Sequence, residues 1–147
     1  MFFMGVVLVT CALIFLNDKV LCAQRSSTMN LPGLWEFPGG KIEKGESPEE
    51  CLVREIKEEL AITIKVLGAL KPNDHAYSKG IVIRLLPYVC IWQCGEVKLL
   101  EHQQIKWVEK GNLNSLNWAP ADIPIVNDLS ENWNIIQKQL VDYTTES

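Results

Sequence analysis

Three glutamates, Glu55, Glu58 and Glu59, recur at spacing i, i+3, i+4. On a helix those positions share one face. Like charges there repel by about a few tenths of a kcal/mol per pair, so the face calls for a positive partner. A hard divalent cation such as Mg²⁺ answers that need, because it takes oxygen ligands and keeps several waters. The chain also passes through Gly39-Gly40 shortly before these acids, and a further acid, Glu46, lies between. Bare backbone at such a turn offers carbonyl ligands and lets a diphosphate approach closely. A carboxylate not needed for the cation can take a proton from an attacking water. A solvated acidic face shows the same triple spacing; the glycine pair and the extra acid tip the reading toward a metal-dependent phosphate site. Other phosphate devices are missing, since the chain has neither a GxxxxGK[ST] loop nor a GxGxxG fingerprint.

The elements that must position these residues can be read next. Ser47 caps a helix, Pro48 suits its first position, and Glu50 completes a capping box. The helix runs to about Leu60 with Leu52, Val53, Ile56 and Leu60 as its apolar stripe. The three glutamates lie about a third of a turn from that stripe, off the core. Residues 5–25 read as a hairpin of buried strands turning at Asn17-Asp18. Residues 26–40 form a loop in which "LWEF" pairs briefly. "ITIKVLGAL", "GIVIRLLPYVCIW" and "IKWV" read as strands. "KPNDHAYSK" reads as a turn-rich loop. A second helix starts in "NWAPADIPIV", with apolar spacing kept to about residue 140. This alternation predicts one α/β domain over 1–147, a sheet covered by helices on both faces.

Bulk properties narrow the function. The chain has 147 residues, 48% apolar and 22% charged, with net charge −4. An acidic surface argues against binding a nucleic-acid polymer, while a metal cation could still draw an anionic substrate. The cysteines, Cys11, Cys22, Cys51, Cys90 and Cys94, are odd in number and form no CxxC pair. They read as small buried hydrophobes in a reducing, cytoplasmic setting. The opening run of sixteen residues, apolar but for Thr10, carries no Lys or Arg and is shorter than the roughly 20 residues of a spanning helix. It is expected to be strand, with no membrane partner.

"GKIEKGESPEECLVREIKEELAI", from Gly40 to Ile62, resembles the Nudix box, G-x5-E-x7-R-E-U-x-E-E-x-G-U with U aliphatic. Gly40, Glu46, Arg54, Glu55, Ile56, Glu58, Glu59 and Ile62 fit. Ala61 replaces the box glycine, so the helix exit is expected to differ. "LWEFPGGK" and "NWAPADIPIV" are similar to the MutT-type branch. The resemblance implies the Nudix fold, an α/β/α sandwich with a mixed β-sheet. It also implies Mg²⁺ or Mn²⁺ and hydrolysis of a nucleoside triphosphate to a monophosphate and pyrophosphate, by a monomer or homodimer. Known substrates of the branch are 8-oxo-dGTP, CTP and methylated dCTP.

Residue by residue, the resemblance makes Glu55, Glu58, Glu59 and the Gly39 carbonyl metal ligands, with Glu101 as a further acid. Glu55 becomes the candidate base, and Arg54 and Glu46 orient helix and loop. On the substrate side it implies Arg25 at the phosphates or ribose, Gly40 and Lys41 beside the diphosphate, Trp35 and Phe37 at the base, and Asp122 reading the base edge.

Overall fold

The computed structural model describes residues 5–146. Met1–Met4, part of the apolar opening run, and Ser147 lie outside the described residues. The elements are β1 (Val6–Leu16), β2 (Lys19–Gln24), β3 (Trp35–Glu36), β4 (Gly39–Lys41), α1 (Pro48–Leu60), β5 (Thr63–Ala69), β6 (Asn73–Ser78), β7 (Ile81–Cys94), β8 (Gln104–Glu109) and α2 (Ile123–Glu146). Two 3₁₀ helices, Lys110–Ser115 and Pro120–Asp122, lead into α2.

The strands form one mixed sheet with β1 at its centre. β1 runs parallel to β7 from Val6↔Val82 to Phe15↔Ile91. Its other edge is divided. β4 takes Val9–Cys11, and β2 takes only the hairpin mouth at Phe15↔Val20 and Leu16↔Lys19. β2 then leaves β1 and pairs along its whole length with β8, while its end also meets β3 at Ala23↔Glu36. The turn at Asn17 uses the left-handed conformation (φ 56°), which Asn tolerates better than most residues.

Alternation along β1 builds two cores. Cys11, Leu13 and Phe15 face α2, where Phe15 meets Trp133 edge-on with centroids 5.4 Å apart. Ala12 and Ile14 face Leu52, Ile56 and Leu60 of α1. The architecture is the expected α/β/α sandwich. Burying each of those three α1 side chains contributes about 1.5–3 kcal/mol, far more than the glutamates' mutual repulsion. The stripe therefore sets the roll of α1, and the acids go where that roll sends them.

Four expectations need correction. "NDHAYS" is not loop but β6, antiparallel to the first half of β7. The glycine pair is a short strand, β4. Cys94 is exposed at the end of β7, whereas the other four cysteines are buried; all five are free thiols. α2 also runs past the expected stop at residue 140, to Glu146. No helix among the described residues is long and apolar enough to cross a membrane.

Candidate active site

Helix α1 begins as the sequence predicts. The Ser47 hydroxyl accepts from the Glu50 N–H at 3.1 Å, and the Glu50 carboxylate accepts from the Ser47 N–H at 2.9 Å. It ends at Ala61, which takes the left-handed conformation (φ 62°, ψ 20°) and donates its N–H to the Lys57 carbonyl. The exit that a glycine would make is thus kept, against expectation, with an alanine that pays about 1 kcal/mol or more for it.

Arg54 gathers the acids at the start of the site. Its guanidinium donates to Glu46 at 2.7 and 3.0 Å, to Glu55 at 2.9 Å, to Glu58 at 3.2 Å and to the Lys41 carbonyl at 3.3 Å. Glu46 also accepts from the Glu43 N–H at 2.8 Å, closing the loop before the helix. The Arg54 hydrogen bonds, with help from that N–H, hold the Glu46 carboxyl down to about 2. This fork of planar donors is what lysine could not supply.

β4 explains both glycines. A Cβ on Gly39 would stand 2.0 Å from the Thr10 carbonyl oxygen, and one on Gly40 would stand 2.3 Å from the Glu55 carboxyl carbon. Bare backbone here lets β4 lie against β1 on one side and the Glu55 carboxylate on the other. The Gly40 carbonyl accepts from the Thr10 hydroxyl at 3.1 Å. Burial raises Glu55 above the usual carboxylate range, with Arg54 working in the opposite direction.

Glu59 departs from expectation. Predicted to stand off the core, it is 3% exposed. It faces two residues the sequence reading passed over, Glu36 and His102. His102 Nε2 lies 2.8 Å from Glu36 Oε2 and 3.7 Å from Glu59 Oε1. The other oxygen of Glu36 accepts from Arg25 at 2.6 Å. Two elements build this meeting. The end of β2 carries Arg25 and has β3 with Glu36 on one edge and the chain leading from His102 into β8 on the other. The loop before His102 is pinned to the end of α1, where the Lys98 and Leu100 N–H groups donate to the Leu60 and Glu59 carbonyls. Burial, then the charges of Glu36, Glu55 and Glu101, push the Glu59 carboxyl up to about 10. Its Oε2 has no hydrogen-bond partner among the described residues.

The remaining predicted residues are placed as follows. Glu58 is 55% exposed in its side chain and touches only the edge of the Arg54 fork. Glu101 is exposed and acts on Glu59 through its charge. The Arg25 guanidinium is engaged by Glu36 and the Asn30 carbonyl. The Lys41 side chain is exposed. Trp35 and Phe37 are buried; Lys106 Nζ lies 5.1 Å over the Trp35 ring, and Phe37 packs on Trp118 with centroids 4.8 Å apart. Asp122 is buried and accepts the Phe37 N–H at 2.9 Å. Burial, partly offset by that hydrogen bond, pushes its carboxyl up to about 8.

The donor set fits a hard divalent cation. A buried carboxylate with an unpartnered oxygen is costly unless something positive meets it. Glu59 therefore keeps its proton up to about pH 10 when no cation is near. Its carboxyl, that of Glu36 and a His102 ring nitrogen have atoms all within 4.8 Å of one another, so a cation held by Glu59 would have a second acid and a histidine close behind its ligand. Little in the sequence pointed to Glu36 and His102. They lie 66 positions apart, and only the pairing of β2 with both β3 and β8 joins them.

Comparison with known proteins agrees with this geometry. The chain matches the NUDIX domain over residues 7–129. It is 36% identical to the CTP pyrophosphohydrolase of Escherichia coli K12 over 123 residues, 84% of this chain and 90% of that protein. It is 30% identical to the 8-oxo-dGTP diphosphatase of the same organism, over 77% of this chain and 87% of that one. Among solved structures, MutT from methicillin-resistant Staphylococcus aureus 252, a Nudix hydrolase, superposes with a TM-score of 0.70 at 43% identity, covering 88% of this chain and 98% of that one. Box residues, sandwich and relatives agree: the chain belongs to the Nudix family and is a hydrolase of phosphoric anhydrides.

Proposed function

We propose that the protein is a Mg²⁺-dependent nucleoside triphosphate pyrophosphohydrolase that releases a nucleoside monophosphate and pyrophosphate, with 8-oxo-dGTP as the leading substrate. The observation that carries this reading is the buried Glu59 carboxyl, its Oε2 without a hydrogen-bond partner among the described residues, beside Glu55 and the bare β4 backbone. Glu55, Glu58, Glu59 and the Gly39 carbonyl would hold the cation, with Glu101 closing from its loop. When bound, the cation would offset the charge of the phosphate oxygens and lower the barrier to attack by water.

The chain's own groups supply the rest. Glu55 lies against the bare glycine backbone, where the carboxylate oxygen not given to the cation can take a proton from water. Arg54 fixes Glu55 and the Glu46 loop in one arrangement, so the acids need not reorganise as substrate arrives. Arg25 approaches the phosphates from the end of β2, with Glu36 holding its guanidinium in place. Gly40 and Lys41 would line the diphosphate path, and Asp122, bonded to the Phe37 N–H, would meet the base edge.

A second reading, hydrolysis of CTP or methylated dCTP, draws support from the 36% identity to the CTP pyrophosphohydrolase. Pyrophosphate release with 8-oxo-dGTP, dGTP, CTP and methylated dCTP, each with and without Mg²⁺, tests both. The highest kcat/KM for 8-oxo-dGTP supports the first reading. A preference for the cytosine nucleotides selects the second, and turnover of none overturns both.

A further inference from the structure

We infer that His102 is a positioning residue that keeps Glu36 and Glu59 from turning away from each other, and so presents Glu59 to the cation. The inference rests on the functional reading above. Glu36 and Glu59 are two acids brought to the same buried spot from β3 and α1, and once Glu59 gives up its proton to bind a cation the two carboxylates would repel. The His102 side chain is wholly buried between them. Its Nε2 is 2.8 Å from Glu36 Oε2 and 3.7 Å from Glu59 Oε1, while Nδ1 has no partner among the described residues. The Glu36 carboxylate, an acceptor at 2.8 Å, puts the ring proton on Nε2.

The same pattern separates this role from that of a metal ligand. A histidine sharing the cation of Glu59 would turn a lone pair toward that acid, yet the nitrogen on the Glu59 side, Nε2, spends its N–H on Glu36. The divergence of the two ring nitrogens turns Nδ1 away from both acids. His102 thus extends a chain, Arg25–Glu36–His102–Glu59, that ties the arginine at the end of β2 to the acid on α1. Its anchor is secure, because the loop before it is bonded to the last carbonyls of α1.

The test compares the wild type with His102→Leu and His102→Gln. Glutamine can reach the Nε2 position with an N–H; leucine fills the space without a donor. Mg²⁺ and Mn²⁺ binding is measured by calorimetry on the nucleotide-free protein, and hydrolysis is followed across a Mg²⁺ titration. His102→Leu should weaken cation binding and raise the half-saturating Mg²⁺ concentration by about tenfold or more, as loss of an outer partner of a ligand does. KM for nucleotide at saturating Mg²⁺ should stay within about twofold, and His102→Gln should recover most of the loss. Equal cation binding in wild type and the leucine variant overturns the inference, as does a glutamine variant no better than leucine. If leucine prevents folding, His102→Asn replaces it: its shorter N–H should fail where glutamine succeeds, and equal binding in the two overturns the role. Wild type that binds no cation defeats the functional reading itself, a result distinct from any difference among variants.

Discussion

The carboxyl carbon of Glu55 lies 2.3 Å from the point where a Cβ on Gly40 would stand. No side chain fits between them, so the backbone of β4 and the acid of α1 share one contact surface. Gly40→Ala should therefore push the Glu55 carboxylate aside while leaving both cores untouched. The expected result is a fall in kcat/KM of about a hundredfold, the scale of a misplacement near 1 Å. Circular dichroism and the melting temperature should stay close to wild type, because the displaced atoms are the tip of a flexible side chain. Wild-type turnover in this variant would remove Glu55 from the reacting geometry.

Glu59→Gln should remove turnover and also change how stability of the metal-free protein depends on pH. The folded-state value of Glu59, about 10, is raised above the roughly 4.3 of an unfolded chain. The folded state thus holds the proton more tightly. Its stabilising contribution is complete below about pH 4.3 and is lost as pH climbs toward 10. Denaturant unfolding of the metal-free wild type should show this decline, and Glu59→Gln should flatten it. Added Mg²⁺ should raise the melting temperature of the wild type, as any ligand of the folded state does, and raise that of the variant much less.

Asp122→Asn bears on the base. The folded-state value of Asp122, about 8, is raised above the unfolded value near 3.9, so its contribution also fades as pH rises between those limits. Asparagine can still accept the Phe37 N–H, but it does not titrate. The variant should keep the fold, flatten that part of the stability profile, and reorder kcat/KM among 8-oxo-dGTP, dGTP and CTP. The half-saturating Mg²⁺ concentration should not move. An unchanged base ranking would exclude Asp122 from base reading.

Ala61→Gly should stabilise the protein. Alanine at φ 62° costs about 1–2 kcal/mol, and glycine returns part of that gain through its freer unfolded chain. A net gain of about 0.5–1 kcal/mol, or roughly 1–4 °C in melting temperature, is expected with kcat unchanged. Scanning calorimetry would check it; a loss of stability would mean that the alanine methyl is packed more usefully than its backbone is strained.

The parts of this molecule that were readable in advance are those encoded locally. Ser47, Pro48 and Glu50 announce the start of α1 within four residues, and Leu52, Ile56 and Leu60 declare its buried side. The hairpin turn at Asn17-Asp18 is equally local. β6 escaped because "NDHAYS" is rich in turn formers and mostly exposed; its strand conformation comes from the edge of β7, not from its own residues. Glu36 and His102 escaped for a related reason. Each looks ordinary in its own segment, and only the two-sided pairing of β2 makes them neighbours. Glu59 was found on the right helix yet given the wrong environment, because helical phase alone did not reveal that the loop before β8 folds over the end of α1.

The central strand has one more consequence, for the order in which the molecule assembles. Every β1 residue paired with β7 finds its partner 76 positions later in the chain. Contacts that distant are slow to form, since a long loop must close before any of them is rewarded. On a ribosome, β1 and β2 emerge early as an apolar hairpin and must wait for β7 before the sheet can close around them. That interval, rather than the finished fold, is where this chain is most open to aggregation.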